Sequence, residues 1–90
     1  MICFEIWVSG KKICLAGVGE DGVLSSIISW SAKQGWPPQK AYLRVGGLVN
    51  KEHVRWTEME HSLEVGDELT LKVVEADTAD EPIHKKPAER

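Results

Sequence analysis

The fold of this 90-residue chain is decided first by residues 2–17, ICFEIWVSGKKICLAG. Large apolar side chains alternate with other types on both sides of the Ser9-Gly10 pair. Such alternation indicates strands with one buried face, and two of them around an X-Gly pair predict a β-hairpin. A two-residue turn sets Val8 opposite Lys11 and Ile6 opposite Ile13. We therefore expect the large aliphatic side chains of both strands to share the core face, because a shift of one residue would bury an acidic side chain.

Two cysteines lie within this hairpin, and no others occur in the chain. The predicted register makes Cys3 and Cys14 diagonal neighbours, about 7–8 Å apart between Cα atoms. That separation exceeds the reach of an unstrained disulfide. We expect two reduced, structural cysteines.

A helix is predicted over residues 22–34. Asp21 is a suitable N-cap, and the apolar residues Val23, Leu24, Ile27 and Ile28 recur at helical spacing. Gly35 and the two prolines after Trp36 would end the helix. A short strand over 41–45 with Leu43 pointing inward, a glycine turn at 46–47 and an extended segment over 52–57 follow. A tight turn over 63–67 then leads into a final strand over 69–74. Residues 1–76 are expected to form one domain, and the polar residues 77–90 a flexible tail.

This order of elements, together with individual residues, resembles the ubiquitin-like family. Its most specific piece is Gly35-Trp36-Pro37-Pro38, where ubiquitin has a glycine, an aliphatic residue and two prolines. Other matching residues are Met1, Phe4, Gly10, Lys11, Ile13, Leu15, Asp21, Lys33, Leu43 and Gly47. The resemblance implies an α+β fold of the β-grasp type, ββαβ(β)β, with a mixed sheet packed on one helix.

The chain also departs from that family where the family's function resides. Ubiquitin-like modifiers end in a free Gly-Gly, whereas this chain ends in KPAER at residues 86–90. Val8 and Arg44 stand at positions of ubiquitin's apolar docking patch. The resemblance therefore does not imply conjugation or sulfur carriage.

Composition excludes several classes of function. Hydrophobic residues make up 42% of the chain and the net charge is −3, with both signs spread along the sequence. This distribution lacks the basic patch of a nucleic-acid-binding protein. No apolar run reaches the roughly 20 residues that span a bilayer, and the first residues do not resemble a signal peptide. We expect a cytoplasmic protein that binds neither nucleic acid nor membrane.

No set of residues predicts catalysis, a metal or a cofactor. His53, His61 and His84 lack the spacing of metal ligands. The glycine-rich stretch 17–22 carries Glu20 and Asp21 where a phosphate-binding loop needs lysine and a hydroxyl residue. The carboxylates between residues 58 and 68 fit a solvated edge better than an acid–base pair. We predict that the protein is not an enzyme.

Four tryptophans are many for so small a core, and they point to protein binding. Trp7 faces away from the predicted core beside Lys12, either as an exposed anchor or covered by another segment. His53 and Arg55 share one side of a strand, with Arg44 nearby. The predicted protein-binding residues are Trp7, Val8, Lys12, Arg44, His53 and Arg55.

The sequence thus favours a non-enzymatic module that binds another protein through a sheet face or edge. Three alternatives stay open. The first is a small immunity or anti-defence inhibitor that blocks a partner enzyme, the second is a self-associating structural protein that forms a homodimer, and the third is a small-molecule binder or enzyme.

Overall fold

The computed structural model describes residues 1–19, 21–31, 40–57 and 61–87, which form eight strands and no helix. The strands are β1 Ile2–Val8, β2 Lys11–Gly17, β3 Val23–Ser31, β4 Lys40–Val49, β5 Glu52–Arg55, β6 His61–Leu63, β7 Leu69–Glu75 and β8 His84–Pro87. They form a three-stranded sheet in the order β2-β1-β7 and a five-stranded sheet in the order β3-β4-β5-β8, with β6 also paired to β4. Within the described ranges no helix is long and apolar enough to cross a bilayer.

The predicted hairpin is present, but its predicted register is wrong beyond the turn. Ser9 and Gly10 both have positive φ, 50° and 84°, as a two-residue turn between twisted strands requires. Val8 pairs with Lys11, but the register then shifts, and Ile6 pairs with Cys14 instead of Ile13. The extra residue in β2 is a β-bulge. The bulge places the small buried residues of β2, rather than its large aliphatics, opposite the centre of β1.

The predicted helix is wrong, and with it the α+β β-grasp fold. Residues 23–31 form β3, which pairs antiparallel with β4 at nine successive positions. Asp21 has a φ of 65° in a turn before β3, so it does not cap a helix. The apolar spacing of this segment fits a helix, but its valine, isoleucines and serines adapt well to a pleated strand. Residues 32–39, which include the predicted helix end and the Gly-Trp-Pro-Pro step, lie outside the described residues.

The two glycines predicted to form a turn lie inside β4. Gly46 pairs with Arg55 of β5, and a Cβ added at Gly46 would lie 2.7 Å from the Val54 carbonyl oxygen. The chain instead reverses at Asn50 and Lys51, whose φ values of 51° and 63° form the turn between β4 and β5. Glycine at position 46 therefore permits a close approach of two strands.

The hydrophobic core lies between the two sheets. The three-stranded sheet contributes Ile6, Cys14 and Ala16, and the five-stranded sheet and the residues after β5 contribute Leu43, Val45, Val54 and Trp56. Leu43, predicted to point inward, is completely buried. Each sheet thus has one face against the other sheet, which leaves the second face of each for other contacts.

Residues 77–87, predicted as a polar tail, make specific contacts with both sheets. The Asp80 backbone amide donates to the Leu15 carbonyl at 2.8 Å, and the Leu15 amide donates to the Asp80 carboxylate at 2.9 Å. The Trp56 indole N–H donates to the Asp80 carbonyl at 2.8 Å. β8 then pairs with β5. The domain boundary expected at residue 76 therefore separates residues that share hydrogen bonds and a sheet.

Candidate protein-binding face

The outward face of the five-stranded sheet collects the side chains that could bind a partner. In an antiparallel sheet, residues directly opposite each other point to the same face. The strand pairings therefore generate two rows across this face. One row is Ser25, Gly46, Arg55 and His84, and the other is Val23, Leu48, His53 and Lys86.

These rows line an open cleft of about 590 Å³. Its polar walls are five basic side chains: Arg44, His53, Arg55, His84 and Lys86. Its apolar walls are mainly Val23, Ile27 and Leu48, which are 62%, 49% and 38% exposed. No acidic side chain is among the described residues that line it. The cleft therefore combines positive charge with apolar surface.

Gly46 lines this cleft between two polar residues. It pairs with Ser25 on one side and with Arg55 on the other, so it lies between a small hydroxyl and a long basic side chain. The space beside its Cα is taken up by β5, because an added Cβ would lie 2.7 Å from the Val54 carbonyl oxygen. Glycine at this position therefore keeps Arg55 close to the backbone of β4.

The structure fixes the orientation of Arg55. Its Nε donates to the Thr57 carbonyl oxygen at 2.8 Å. Thr57 is buried, and its hydroxyl accepts a hydrogen bond from the Val45 backbone amide at 3.2 Å. The guanidinium is therefore anchored to the core. Pre-positioning lowers the entropy that an arginine loses when it binds an acidic group.

The charge of the cleft contrasts with that of the whole chain. The side chains of Arg44, Arg55 and Lys86 line one cleft, although the chain has a net charge of −3. Adjacent strands lie about 4.8 Å apart, which is within a Debye length of about 8 Å, so basic side chains on neighbouring strands can act together on an anionic group. Such attraction chiefly sets association rate and specificity.

Three of the six predicted binding residues lie together here, and three do not. Arg44, His53 and Arg55 line the cleft. Trp7, Val8 and Lys12 belong to the other sheet, and Val8 packs against the core. The structure therefore divides the predicted site between two sheets.

Trp7 is half-buried, so it is partly covered and is not a fully exposed anchor. Its indole Nε1 is buried, with no hydrogen-bond acceptor among the described residues. The Lys72 Nζ lies 6.0 Å from the ring centroid, a distance typical of a cation–π contact. Lys12 forms an ion pair with Glu5 at 3.8 Å. Trp7 thus belongs to a local cluster on the three-stranded sheet.

Sequence reasoning missed His84 and Lys86, and it also missed the apolar residues of β3. The first two lie in the stretch assigned to a tail, where three successive basic residues, His84, Lys85 and Lys86, show no alternation that would indicate a strand. Val23 and Ile27 were assigned to the buried face of a helix but lie exposed on the sheet. Trp30, at 64% exposure, is the most exposed large hydrophobic residue of β3.

The cysteines offer no reactive site. Both are free and buried. Burial, and secondarily the charge of Asp80, raise the pKa of the Cys14 thiol from 9.0 to about 11, so the thiol stays protonated and unreactive at neutral pH. In the described part of the chain, no group of three or more His, Cys, Asp or Glu side chains is arranged to hold a metal ion.

Comparisons with protein-family models, with curated proteins and with solved structures each return no match to this chain. The resemblance to the ubiquitin-like family rests on the quoted residues alone, and the strand at residues 23–31 overturns the β-grasp architecture that it implied.

Proposed function

We propose that this protein is a non-enzymatic protein-binding module whose partner presents an acidic, partly apolar surface to the outward face of the five-stranded sheet. One observation carries the proposal: five basic side chains from β4, β5 and β8 meet around one open cleft beside exposed Val23 and Ile27. Arginine beside apolar surface is typical of protein interfaces.

A protein partner fits this face better than a nucleic acid does. No phenylalanine, tyrosine or tryptophan is among the described residues that line the cleft, so the large aromatic rings on which bases usually stack are absent from that lining. The apolar residues of β3 offer nothing to a phosphate backbone, whereas they match the apolar residues of an acidic protein segment. The net charge of −3 also opposes approach to a polyanion from every other direction.

The binding test uses two 12-residue peptides that differ only in charge, one alternating glutamate with leucine and the other alternating lysine with leucine. Each is titrated against the ¹⁵N-labelled protein and followed by NMR. We expect the acidic peptide to shift amides of residues 23–27, 44–48, 53–55 and 84–86, and the basic peptide to shift none. Raising the salt concentration should weaken binding because the attraction is partly screened.

Matched charge substitutions complete the test. In Arg44→Gln/Lys86→Gln we expect about tenfold weaker binding of the acidic peptide, since each exposed ion pair contributes about 0.2–1 kcal/mol. Lys12→Gln/Lys72→Gln removes the same charge from the other sheet and should leave the affinity unchanged. Equal loss in both double variants would refute the assignment of the face. A single-stranded oligonucleotide that binds the cleft more tightly than the peptide would favour a nucleic-acid function instead.

A further inference from the structure

Among the described residues, the strand β3 forms one edge of the five-stranded sheet. It pairs with β4 at nine positions, from Val23–Leu48 to Ser31–Lys40, without a register shift. No strand among the described residues pairs with its other side. Such an edge offers a row of backbone donors and acceptors to another strand.

The edges formed by β8, β7 and β2 are protected, whereas the edge formed by β3 is not. β8 consists of HKKP, with two lysines and a proline, and β7 contains Lys72 and Glu75. β2 begins with two lysines, and its Leu15 amide and carbonyl are both bound by Asp80. Charged residues, prolines and covering segments are the usual protections against edge-to-edge pairing. β3 has the sequence VLSSIISWS, which contains no charged residue and no proline.

Both faces beside this edge are apolar and exposed to solvent. On the outward face, Val23 and Ile27 are 62% and 49% exposed. On the opposite face, Ile28 and Trp30 are 59% and 64% exposed. A single copy therefore leaves apolar surface in water along both sides of one strand, which is typical of a surface that another chain covers.

We propose that two copies of this chain pair antiparallel through β3 and form one continuous ten-stranded sheet. A two-fold axis at Ile27 sets this residue opposite the partner's Ile27. Leu24 then lies opposite the partner's Trp30, and Ser25 opposite the partner's Ser29. Ser26 then lies opposite the partner's Ile28, and Val23 opposite the partner's Ser31, so two of the five kinds of pair join a serine to an apolar residue. In the other three kinds like residues meet, and neither edge brings a charge. An uncharged edge that can pair with a copy of itself is what an isologous interface requires, and it identifies the occupant as a second copy.

The dimer has a consequence for the basic cleft. A two-fold axis perpendicular to the sheet keeps the same face outward in both copies, so both clefts open on one side. The two Arg44 residues are separated by three strand spacings, about 14 Å. Because this distance exceeds the Debye length of about 8 Å, dissolved ions largely screen the repulsion between the two side chains. The dimer itself depends only on the β3 edge and does not rest on the proposed acidic partner.

Sedimentation velocity of the full chain, without any peptide, tests the dimer between about 1 and about 200 µM. We expect the wild type to reach twice the monomer mass of 10.0 kDa as the concentration rises. Ile27→Lys should raise the dissociation constant about tenfold, because an apolar pair is replaced by two lysines directly opposite each other. Val73→Lys, at a 63% exposed apolar position of β7, should leave the dimer intact. Far-UV circular dichroism verifies that both variants fold.

Hydrogen exchange provides a readout that needs no variant. Amides of β3 that point away from β4 should gain protection as the wild-type concentration rises, and β7 amides should not. A wild type that stays monomeric at the highest concentration overturns the proposal. A dimer that Val73→Lys disrupts and Ile27→Lys leaves intact overturns it equally.

Discussion

The same substitution, tryptophan to phenylalanine, is expected to have three different effects at three positions. Trp56 is 6% exposed, and its indole N–H binds the Asp80 carbonyl at 2.8 Å. Loss of that hydrogen bond costs about 1 kcal/mol. Loss of the second ring removes roughly 40 Å² of buried apolar surface, about 1 kcal/mol at about 25 cal/mol per Å². We expect Trp56→Phe to lower the free energy of unfolding by about 2 kcal/mol.

Trp7 and Trp30 are the matched controls. The buried Trp7 Nε1 has no acceptor among the described residues, and a buried unpaired donor costs about 1–3 kcal/mol. In Trp7→Phe, removal of that donor offsets the loss of packing, so we expect a net change within about 1 kcal/mol. Trp30 is 64% exposed, and Trp30→Phe should change stability by less than about 0.5 kcal/mol.

Urea unfolding followed by far-UV circular dichroism, at one protein concentration, ranks the three variants. For Trp56→Phe, 2 kcal/mol corresponds to a fall in Tm of about 8–16 °C in a domain of this size. If Trp56→Phe is no more destabilising than Trp30→Phe, then residues 77–87 do not contact the core as described. A large loss in Trp7→Phe would show that its indole N–H has a partner.

Four further outcomes are expected, from a core leucine, a strand glycine, a buried thiol and a turn. Leu43→Ala should lower the free energy of unfolding, measured in urea, by about 2–5 kcal/mol because the leucine side chain is completely buried. Gly47→Ala should lower it by about 1–3 kcal/mol because an added Cβ would collide with the Val23 carbonyl oxygen. The pKa of the Cys14 thiol is about 11 in the folded protein and 9.0, the ordinary value, in the unfolded chain, so the thiol ionises first in the unfolded state. The free energy of unfolding should therefore decline as pH rises from about 9 to about 11. Cys14→Ala should abolish that decline. Hydrogen bonds from the Glu64 backbone amide and, secondarily, from the Ser9 hydroxyl lower the pKa of the Asp67 carboxyl. The ionised carboxylate therefore stabilises the folded state, and this contribution should be lost as pH falls through the acidic range. In an acid titration, the Asp67→Asn variant should lack this pH-dependent loss of stability.

The turns and strands that were predicted correctly are those whose residue pattern fits only one kind of local structure. The Ser9-Gly10 turn is required locally because residues there need positive φ. The inward position of Leu43 and the strand over residues 69–74 follow from alternation and are confirmed. The turn near residue 66 is likewise present, closed by the Asp67 amide, which donates to the Glu64 carbonyl at 2.9 Å.

The candidate site could be predicted only in part. Arg44, His53 and Arg55 are predicted to be surface residues near one another, because two of them share one side of a short strand. Lys86 and His84 could not be placed, since their neighbour β5 lies about 30 residues away in sequence. Trp7 and Lys12 are predicted to belong to the same site because the sequence carries no signal that two separate sheets exist.

The sequence by itself determined a β-hairpin and a final strand, because these follow from turn chemistry and short-range alternation. Tertiary structure alone decided that residues 23–31 extend, since valine, leucine and isoleucine at that spacing suit either a helix or a strand. Nine backbone pairings with β4 favour the strand. The basic cleft arises from the same pairings, because a sheet brings together residues that no local pattern relates.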